Sequence, residues 1–485
     1  MRFCSTRGGA KGATLAEALC TGYAPDGGLF VPEELPRISE TTLAWWASLD
    51  FPALALELLT LFVGDELPPE ELADVVHGSY VNFSHKDIVP VIPLAEAAVV
   101  AELFHGPTYC FKDLGQQLLV RLLARFAERD KQKKTFLVST TGDTGPAAMR
   151  AVADAASDYL QIVVFFPSGQ ISELQRRQMT TASTAKAKVA TFEGGGDDMD
   201  LPLKRLSSDR AFVEKHGLCG INSYNLGRPL AQLPHFFWSY FRAVEQLGFA
   251  LGSPVDLVIP GGALGNTAAA FMAKEMGLPV QRLICGVNQN DITHRTISKG
   301  EFHRHECMFK TLSDAINIQV PYNMERIFYY LTGEDRLLVK SWMEQMDCTS
   351  QLTLPEAWHQ KMQQIFASAR IDDDAMCEAM KRSVAEFGYL PCPHTAVALG
   401  AHFATPADVP RVIFATASPC KFQSSVTTAL GQETWKNYED SSNFPPSARS
   451  LFSKEETEPE RFSARDTLNN SQDAWELRLR EILGN

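Results

Sequence analysis

The sequence predicts an α/β protein in which parallel β-sheets are covered by helices on both faces. Short apolar runs without polar alternation occur at 135–139, 162–167 and 255–260, a pattern typical of strands that are buried on both sides. Segments of helical composition follow these runs, and glycine-rich turns stand at the junctions. The repeated order of strand, turn and helix favours parallel sheets built from β–α–β units.

Around this α/β part, three segments have a different character. Residues 1–90 are predicted to form an N-terminal helical domain, since their apolar residues recur at helical spacing. Residues 311–385 are helical in composition and acidic, and we interpret them as a helical insertion. Residues 436–485 form a C-terminal extension rich in Ser, Pro and Glu, which we expect either to wrap the surface or to be mobile, and to end in an amphipathic helix over 474–483 that docks back.

Length and charge limit the classes of function. The chain of 485 residues is long enough for about three domains. Its net charge of −13 argues against nucleic-acid and anionic-membrane partners, although a local positive pocket could still bind an anionic small molecule. The ten cysteines are scattered without a CxxC pair, which is typical of reduced thiols in an intracellular protein. No apolar run is long enough to predict a transmembrane helix. The HRHEC segment, 303–307, is interpreted as a solvated loop, and no metal site is predicted.

The candidate catalytic residue is Lys112, at the centre of the stretch GPTYCFKDLGQQLL. It stands where an apolar run passes through a Gly-Pro-Thr turn into a predicted helix. Partial desolvation there would favour the neutral amine, which is the form that attacks a carbonyl group to give a Schiff base. On its own, a lysine beside an aspartate is more often a solvated ion pair.

Two glycine-rich loops could bind an anion. Residues 260–266 read PGGALGN and residues 139–145 read STTGDTG, and each precedes a predicted helix whose N-terminal N–H groups favour negative charge. Neither loop has the Lys-Ser/Thr ending of an ATP-binding loop, and GGALGN is not a GxGxxG fingerprint, so nucleotide binding is less favoured. Pyridoxal phosphate would use both a lysine and an anion-binding loop, and it is therefore the predicted cofactor.

The motifs also resemble those of a known family. GPTYCFKD is similar to the GPT-x-x-FKD lysine motif of threonine synthases, TTGDTGPAA to their TSGDTG loop, PGGALGN to their phosphate loop, and FATASPCKF to their TAHPAKF segment. Similar matches run in order from residue 5 to about residue 430. Because the first of these motifs begins at Ser5, we expect no transit peptide and a cytoplasmic location.

The resemblance implies a fold and a domain organisation. The fold would be that of a fold type II pyridoxal-phosphate enzyme, similar to the β subunit of tryptophan synthase. A large cofactor domain would comprise residues 91–134, 226–310 and 386–435, and a small α/β domain residues 135–225. Neither the resemblance nor the composition predicts an oligomeric state.

The resemblance also assigns roles to residues, carried over motif by motif. Lys112 would form the Schiff base with the cofactor's aldehyde, and Thr416 would face its pyridine nitrogen. The cofactor phosphate would lie on Gly262, Ala263, Leu264, Gly265 and Asn266. The substrate carboxylate would lie on Thr140, Thr141, Gly142, Asp143 and Thr144.

Departures from the family's motifs affect the expected reaction. Cys392 replaces an Asp, Ser418 replaces a His, Thr141 replaces a Ser, and 263–266 replace Asn-Phe-Gly-Asp. Together with VNQNDITHRT and IQVPYNMER, these changes resemble the threonine synthase-like 2 branch of the family, whose implied activity is that of a phospho-lyase. The expected substrates are O-phosphohomoserine and O-phosphothreonine, with 2-oxobutyrate, ammonia and phosphate as products. The alternatives are a threonine synthase and, less favoured, a retired enzyme that serves as a binding or signalling protein.

Overall fold

The computed structural model describes the chain except for residues 96, 195–198, 200, 201, 204, 208, 464–471, 484 and 485. In the described part, no helix is both long and apolar enough to cross a lipid bilayer. The elements that follow are numbered in chain order over the described residues.

Fifteen strands are described. They are β1 (Phe3–Ser5), β2 (Phe30–Pro32), β3 (Val91–Ala95), β4 (Ala98–Glu102), β5 (Lys134–Ser139), β6 (Leu160–Pro167), β7 (Ala187–Phe192), β8 (Leu218–Cys219), β9 (Val255–Pro260), β10 (Val280–Val287), β11 (Glu301–His303), β12 (Gln351–Thr353), β13 (Phe366–Arg370), β14 (Arg411–Ala415) and β15 (Glu460–Phe462).

Twenty α-helices have clear bounds in the described residues. They are α1 (Leu15–Thr21), α2 (Glu40–Trp46), α3 (Phe51–Val63), α4 (Pro69–Tyr80), α5 (Lys112–Asp130), α6 (Thr144–Ala155), α7 (Glu173–Thr180), α8 (Arg210–His216), α9 (Gly227–Gln246), α10 (Gly265–Met276), α11 (Ile292–Lys299), α12 (Met324–Leu331), α13 (Arg336–Thr349), α14 (Glu356–Ile365), α15 (Asp373–Phe387), α16 (Pro393–Ala404), α17 (Gln423–Leu430), α18 (Gln432–Asp440), α19 (Pro446–Leu451) and α20 (Gln472–Leu483).

Two mainly parallel sheets form the centre of the molecule. The larger sheet has the order β13–β10–β9–β14–β4–β3, in which only β3 runs antiparallel to its neighbour. The smaller sheet has the order β15–β7–β6–β5–β8 and is parallel throughout. Strands β9 and β14 are buried at every residue, as expected for parallel strands covered on both faces. The predicted α/β class with parallel sheets is therefore confirmed.

The segments outside the sheets differ in part from the prediction. Residues 1–90 contain helices α1 to α4, but β1 and β2 also pair as a two-stranded antiparallel sheet. Residues 311–385 are not wholly helical, because β12 and β13 lie within them and β13 pairs in parallel with β10 of the larger sheet. The sequence of β13, FASAR, has only one large apolar residue and lies at a sheet edge, so it lacks the apolar run that reveals a buried strand.

The last part of the C-terminal extension packs against the smaller sheet. Strand β15 adds to the edge of β7, and Trp475 of α20 is fully buried against Phe192 and Phe462. The predicted helix over 474–483 is observed as Gln472–Leu483. The part of the predicted extension at 464–471 lies outside the described residues.

The topology places the candidate site residues at one kind of location, namely the loops that follow the carboxyl ends of parallel strands. Lys112 comes after β4, Thr140–Thr144 after β5, Gly261–Asn266 after β9 and Thr416 after β14. Open α/β sheets bind ligands at these carboxyl ends. Three of these loops belong to the larger sheet and one to the smaller, so the candidate site lies between the two sheets.

Candidate active site

The loop that carries Lys112 pairs with the loop that follows β14. Because β4 and β14 are adjacent and parallel, their carboxyl ends lie side by side, with Ala415 opposite Glu102. Beyond these ends, the backbone N–H of Phe111 donates to the Thr416 carbonyl at 2.8 Å. The N–H of Ser418 donates in turn to the Tyr109 carbonyl at 2.9 Å. These bonds bring the two predicted cofactor residues Lys112 and Thr416 together.

A buried carboxylate fixes the Gly-Pro-Thr turn before Lys112. Asp113 accepts hydrogen bonds from the backbone N–H of Thr108 at 2.8 Å and from its hydroxyl at 2.6 Å. Gly106 is required at the start of the turn, since a Cβ atom there would lie 2.5 Å from the Asp113 side chain. Burial raises the pKa of the Asp113 carboxyl to about 6, although the bonds from Thr108 oppose the rise.

The lysine itself takes part in an ion cluster that joins the two sheets. Lys112 is the first residue of α5, and its Nζ lies 3.8 Å from Oδ2 of Asp143, which precedes α6 of the smaller sheet. The other carboxylate oxygen of Asp143 lies 2.7 Å from Nζ of Lys421, which follows β14. Lys421 also donates to the Thr108 carbonyl at 3.0 Å, and Gln175 donates to Asp143 at 3.0 Å. The closer ion pair is therefore formed by Lys421, and Lys112 is held at longer range.

Burial and charge act in opposite directions in this cluster. Burial opposes ionisation of Asp143, but the ammonium groups of Lys421 and Lys112 outweigh it and hold the pKa of that carboxyl below its usual range. Burial likewise opposes the charge on Lys421, yet Asp143 keeps the pKa of its ammonium above the usual value. The two ammonium groups give the cluster local positive charge, although the Asp113 carboxyl also acts on Lys421, within a chain whose overall charge is −13. Such a site favours an anionic ligand.

The three threonines of the loop after β5 differ in what their side chains do: Thr140 binds the loop's own backbone, and Thr141 and Thr144 are more exposed to solvent. The Thr140 hydroxyl accepts hydrogen bonds from the backbone N–H groups of Gly142 at 3.1 Å and Gly145 at 3.0 Å. Thr141 is exposed and Thr144 half-buried, so their hydroxyl groups are better placed for a ligand. Gly142 has a φ of +130°, and a Cβ atom there would lie 2.5 Å from the Gln175 side chain. The predicted role of Asp143 as a ligand of a substrate carboxylate is not favoured by its contacts, because it carries the same charge and already binds two lysines.

The glycine-rich loop after β9 offers unpaired donors. In the described part of the chain, the backbone N–H groups of Gly262, Ala263 and Leu264 have no hydrogen-bond acceptor. Leu264 is in the left-handed conformation, with φ of +59° and ψ of +15°. Helix α10 begins at the next residue, and the N–H groups of a helix's first turn have no acceptor within the helix. Successive free N–H groups of this kind form an anion-binding concavity.

Asn266 adds a further donor to this loop. Its Oδ1 lies 2.9 Å from Nε2 of His235, which leaves the buried Nδ2 without a partner among the described residues. Burial lowers the pKa of His235 to about 3, so the ring is neutral and its Nε2–H donates to Asn266. The loop therefore has the donors that a phosphate group requires and no carboxylate to repel it.

Two of the residues that depart from the family's motifs, Cys392 and Ser418, form hydrogen bonds with neighbouring backbone groups. The Cys392 Sγ accepts from the backbone N–H of Thr395 at 3.4 Å and caps α16. The Ser418 hydroxyl accepts from the N–H of Cys420 at 3.3 Å and lies 3.3 Å from the Tyr438 hydroxyl. Within the described residues, no group of three or more His, Cys, Asp or Glu side chains could hold a metal ion.

Sequence reasoning missed several residues of this site. The residues without a predicted role are Asp113, Gln175, His235 and Lys421. Asp113 and Lys421 lie inside the quoted motifs FKD and SPCKF, so the motifs contained the signal. Gln175 and His235 lie on helices α7 and α9, and only tertiary packing brings them to the site.

The fold and the site together define an α/β enzyme with a lysine and an anion-binding loop at the carboxyl ends of its strands. Comparison with known proteins identifies the family. Residues 2–80 match the family model described as threonine synthase N terminus, and residues 395–467 match that of threonine synthase, C-terminal. The human protein threonine synthase-like 2 is 39% identical over 489 residues, which cover 100% of this chain and 97% of that protein. The chain belongs to the threonine synthase family.

Two further relatives place the chain within this family. Threonine synthase of Pseudomonas aeruginosa is 33% identical over 435 residues, which cover 89% of this chain and 91% of that protein. The crystal structure of pyridoxal-phosphate-bound threonine synthase from Brucella melitensis has a TM-score of 0.89 at 30% identity, with 100% of both chains covered. That neighbour contains the cofactor predicted here from the lysine and the two loops.

Proposed function

We propose that the protein is a pyridoxal-phosphate-dependent carbon–oxygen lyase of fold type II that acts on O-phosphohomoserine and O-phosphothreonine. The products would be 2-oxobutyrate, ammonia and inorganic phosphate. Membership of the threonine synthase family and the lysine-centred site support the class of enzyme. The observation that favours a lyase is that Cys392 and Ser418, which stand where the family's motifs have a carboxylate and an imidazole, cap local backbone groups.

The residues of the site suit the cofactor. The aldehyde would be bound by Lys112, the phosphate by the free N–H groups of the loop after β9 together with Asn266, and the pyridine nitrogen by the Thr416 hydroxyl. In the described part of the chain the Thr416 hydroxyl makes no hydrogen bond, although the residue is only 6% exposed, so it has a donor and an acceptor to offer. When bound, the cofactor supplies an electron sink for negative charge that develops at the substrate Cα.

The chain's own residues then have distinct tasks. Lys112 removes the Cα proton and, for O-phosphohomoserine, would also take the Cβ proton, whose loss lets phosphate leave Cγ, and return a proton to Cγ. Its position at the head of α5 is kept by the turn that Asp113 fixes. The Asp143–Lys421 pair connects the loop of the smaller sheet to the larger sheet, so it keeps the threonine-rich loop facing Lys112. The hydroxyls of Thr141 and Thr144, with the backbone N–H of Thr144 at the start of α6, would bind the substrate carboxylate.

Loss of phosphate leaves an unsaturated product, and its fate separates a lyase from a synthase. A synthase must hold one water molecule against Cβ with positioned polar groups, and losing one such acid–base group typically costs about 10²–10⁴-fold on that step. The side chains of Cys392 and Ser418 do not supply the carboxylate and the imidazole that the family's motifs have at these two positions. Release therefore precedes hydration, and the free enamine hydrolyses in solution to 2-oxobutyrate and ammonia.

The test is to incubate the purified holoprotein separately with O-phosphohomoserine and O-phosphothreonine and to measure phosphate and 2-oxobutyrate. Equal amounts of both products from either substrate are expected, and none with the Lys112→Ala variant. Unphosphorylated homoserine and threonine serve as controls and should give no 2-oxobutyrate. A protein that turns over neither phosphorylated substrate, and shows no visible absorbance from a lysine-bound cofactor, would contradict the proposal and support the retired-enzyme hypothesis.

The threonine synthase alternative can be tested on the same chain. A variant that restores the family's residues, Cys392→Asp with Ser418→His, should raise the fraction of O-phosphohomoserine that is converted to threonine. The comparison needs equal cofactor occupancy in both proteins, measured by the visible absorbance. An unchanged product ratio would show that these two positions do not decide between lyase and synthase.

A further inference from the structure

A side chain just before α12 helps to hold the glycine-rich loop in its conformation; it lies in the segment IQVPYNMER, to which no role in the site was assigned from the sequence. Asn323, just before the helix, donates to the Ala263 carbonyl twice, from its backbone N–H at 3.2 Å and from Nδ2 at 3.1 Å. Its Nδ2 also donates to the Ser223 carbonyl at 3.0 Å. The residue is fully buried, and its side chain lies 3.4 Å from the place where Gly265 would carry a Cβ atom.

The bond to Ala263 determines where the next N–H group points. In a planar trans peptide, the carbonyl of one residue and the N–H of the next lie on opposite sides. Because Asn323 draws the Ala263 carbonyl to one side, the N–H of Leu264 is turned to the other. That N–H has no acceptor in the described part of the chain, although Leu264 is only 3% exposed. A buried, unpaired backbone donor is costly unless a ligand satisfies it.

Arg326 supports Asn323 from the next turn of the helix. Its guanidinium donates to Asn323 Oδ1 at 2.5 Å, to the Phe30 carbonyl at 3.0 Å and to the Tyr224 carbonyl at 2.7 Å. Among the described residues, no carboxylate lies within salt-bridge distance of this fully buried cation. A cation that donates to the amide oxygen also strengthens the donors of the same amide group, because linked hydrogen bonds polarise one another.

We infer that Asn323, polarised by Arg326, is a positioning residue that presents the Leu264 N–H to the phosphate group of the cofactor. The inference rests on the proposed function, because the ligand of the loop is taken to be pyridoxal phosphate. It adds a residue pair that lies about sixty positions from the loop in sequence and touches neither Lys112 nor Thr416. Asn323 and Arg326 also connect the loop to strand β2 of the N-terminal antiparallel sheet, through the Phe30 carbonyl.

A purely structural role for Asn323 would have a different consequence. If the residue only stabilised the fold, its loss would weaken the binding of every ligand of the site to a similar extent. If it orients a phosphate donor, its loss weakens only ligands that carry a phosphate. Pyridoxal, which has the aldehyde and the ring but no phosphate, separates the two cases.

The experiment measures the dissociation constants of pyridoxal phosphate and pyridoxal by absorbance titration of the apoprotein. In Asn323→Ala, the dissociation constant for pyridoxal phosphate is expected to rise roughly fivefold, since the Nδ2 bond to the Ala263 carbonyl is lost while the backbone N–H bond to it remains. The constant for pyridoxal is expected to stay unchanged. Asn225→Ala is the matched control, because Asn225 is equally buried and its Nδ2 also donates to two carbonyls, those of Leu19 and Gly220, without contacting the loop. In this control the ratio of the two constants should match that of the wild type.

The outcomes separate the inference from the proposed function. A wild-type protein that binds pyridoxal phosphate no better than pyridoxal would overturn both. A wild-type preference for pyridoxal phosphate that survives in Asn323→Ala would overturn the inference alone. If Asn323→Ala does not fold, Asn323→Ser, whose shorter hydroxyl cannot reach both carbonyls, is measured in the same way and is expected to lose the same preference.

Discussion

Replacing Lys421 with methionine removes a buried charge while keeping a side chain of similar length. Its Nζ lies 2.7 Å from Asp143, and the two side chains are 0% and 4% exposed. Removing one partner of such a buried pair typically costs about 3–5 kcal/mol, because the other charge stays buried without compensation. The Thr108 carbonyl also loses its donor, which adds about 1 kcal/mol. We therefore expect Lys421→Met to lower the free energy of unfolding by at least about 3 kcal/mol.

The same change should alter the behaviour of Lys112. With Lys421 gone, Lys112 is the remaining lysine of the cluster near Asp143, and the present 3.8 Å contact should shorten. Its amine would then be less available to the cofactor, so the visible absorbance band should form more slowly after pyridoxal phosphate is added. Stopped-flow absorbance on the variant and the wild type measures this rate.

A double-mutant cycle separates the ion pair from simple loss of packing. Urea unfolding of Lys421→Met, Asp143→Asn and the double variant gives the coupling free energy. We expect the double variant to be less destabilised than the sum of the single variants by about 2 kcal/mol or more. Additive effects, or a loss below about 1 kcal/mol in Lys421→Met, would refute the reasoning.

The pH dependence of stability gives an independent check on the contribution of the Asp143–Lys421 pair. The pKa of Asp143 is held below its usual range in the folded protein, so the pair's contribution is fully present above the unfolded value near 4. That contribution is lost as the pH falls below this value. The stability curves of Lys421→Met and the wild type should therefore differ at neutral pH and converge as the pH falls below about 4.

Three further predictions concern residues around the cluster. Lys112→Ala should abolish turnover and leave the circular dichroism spectrum unchanged, and borohydride should fix no cofactor to the variant; substantial activity without added amine would be incompatible with its assigned role. Thr416→Val should keep the cofactor bound but slow turnover about fivefold, because one hydrogen bond worth about 1 kcal/mol is lost. Thr416→Asp should favour protonation of the pyridine ring and transamination as a side reaction. Unchanged kinetics and spectra in both variants would assign the pyridine contact to another residue. The pKa of Asp113 is raised from 3.8 to about 6 in the folded protein, so the folded state binds this proton more tightly than the unfolded state does. The free energy of unfolding should therefore decline by about 3 kcal/mol as the pH rises from 4 to above 6. Asp113→Asn should lack this decline when urea unfolding is compared at pH 4.5 and 7.5, and parallel pH profiles of the variant and the wild type would contradict the prediction.

The elements that sequence reasoning predicted well have strong local signals. Strand β9 and helix α20 fall within two residues of the prediction, because a mostly apolar run identifies the buried strand and an amphipathic repeat identifies the docked helix. Strand β13 was missed, since small residues at a sheet edge give no such run. An element is therefore predictable from the sequence when its own residues show the apolar pattern that burial requires, as those of β9 do and those of β13 do not.

The same distinction applies to the site. Lys112, Thr416 and the two loops follow strand ends, and each lies in a motif that can be read locally. By contrast, the partners that fix them come from distant segments. Lys421 lies 278 positions from Asp143, and Asn323 lies 60 positions from Ala263, so only the pairing of strands and helices could reveal these contacts. Local sequence patterns predict which residues can bind or react with a ligand, and tertiary packing determines which other residues fix their positions.

The most direct test of the account is the product balance with O-phosphohomoserine. The purified holoprotein is supplied with this substrate alone, and threonine, 2-oxobutyrate and phosphate are quantified in the same sample. The account predicts 2-oxobutyrate and phosphate in equal amounts, with little or no threonine, because Cys392 and Ser418 replace the carboxylate and the imidazole that could direct water to Cβ. Threonine that equals phosphate one for one would contradict the account and identify a threonine synthase.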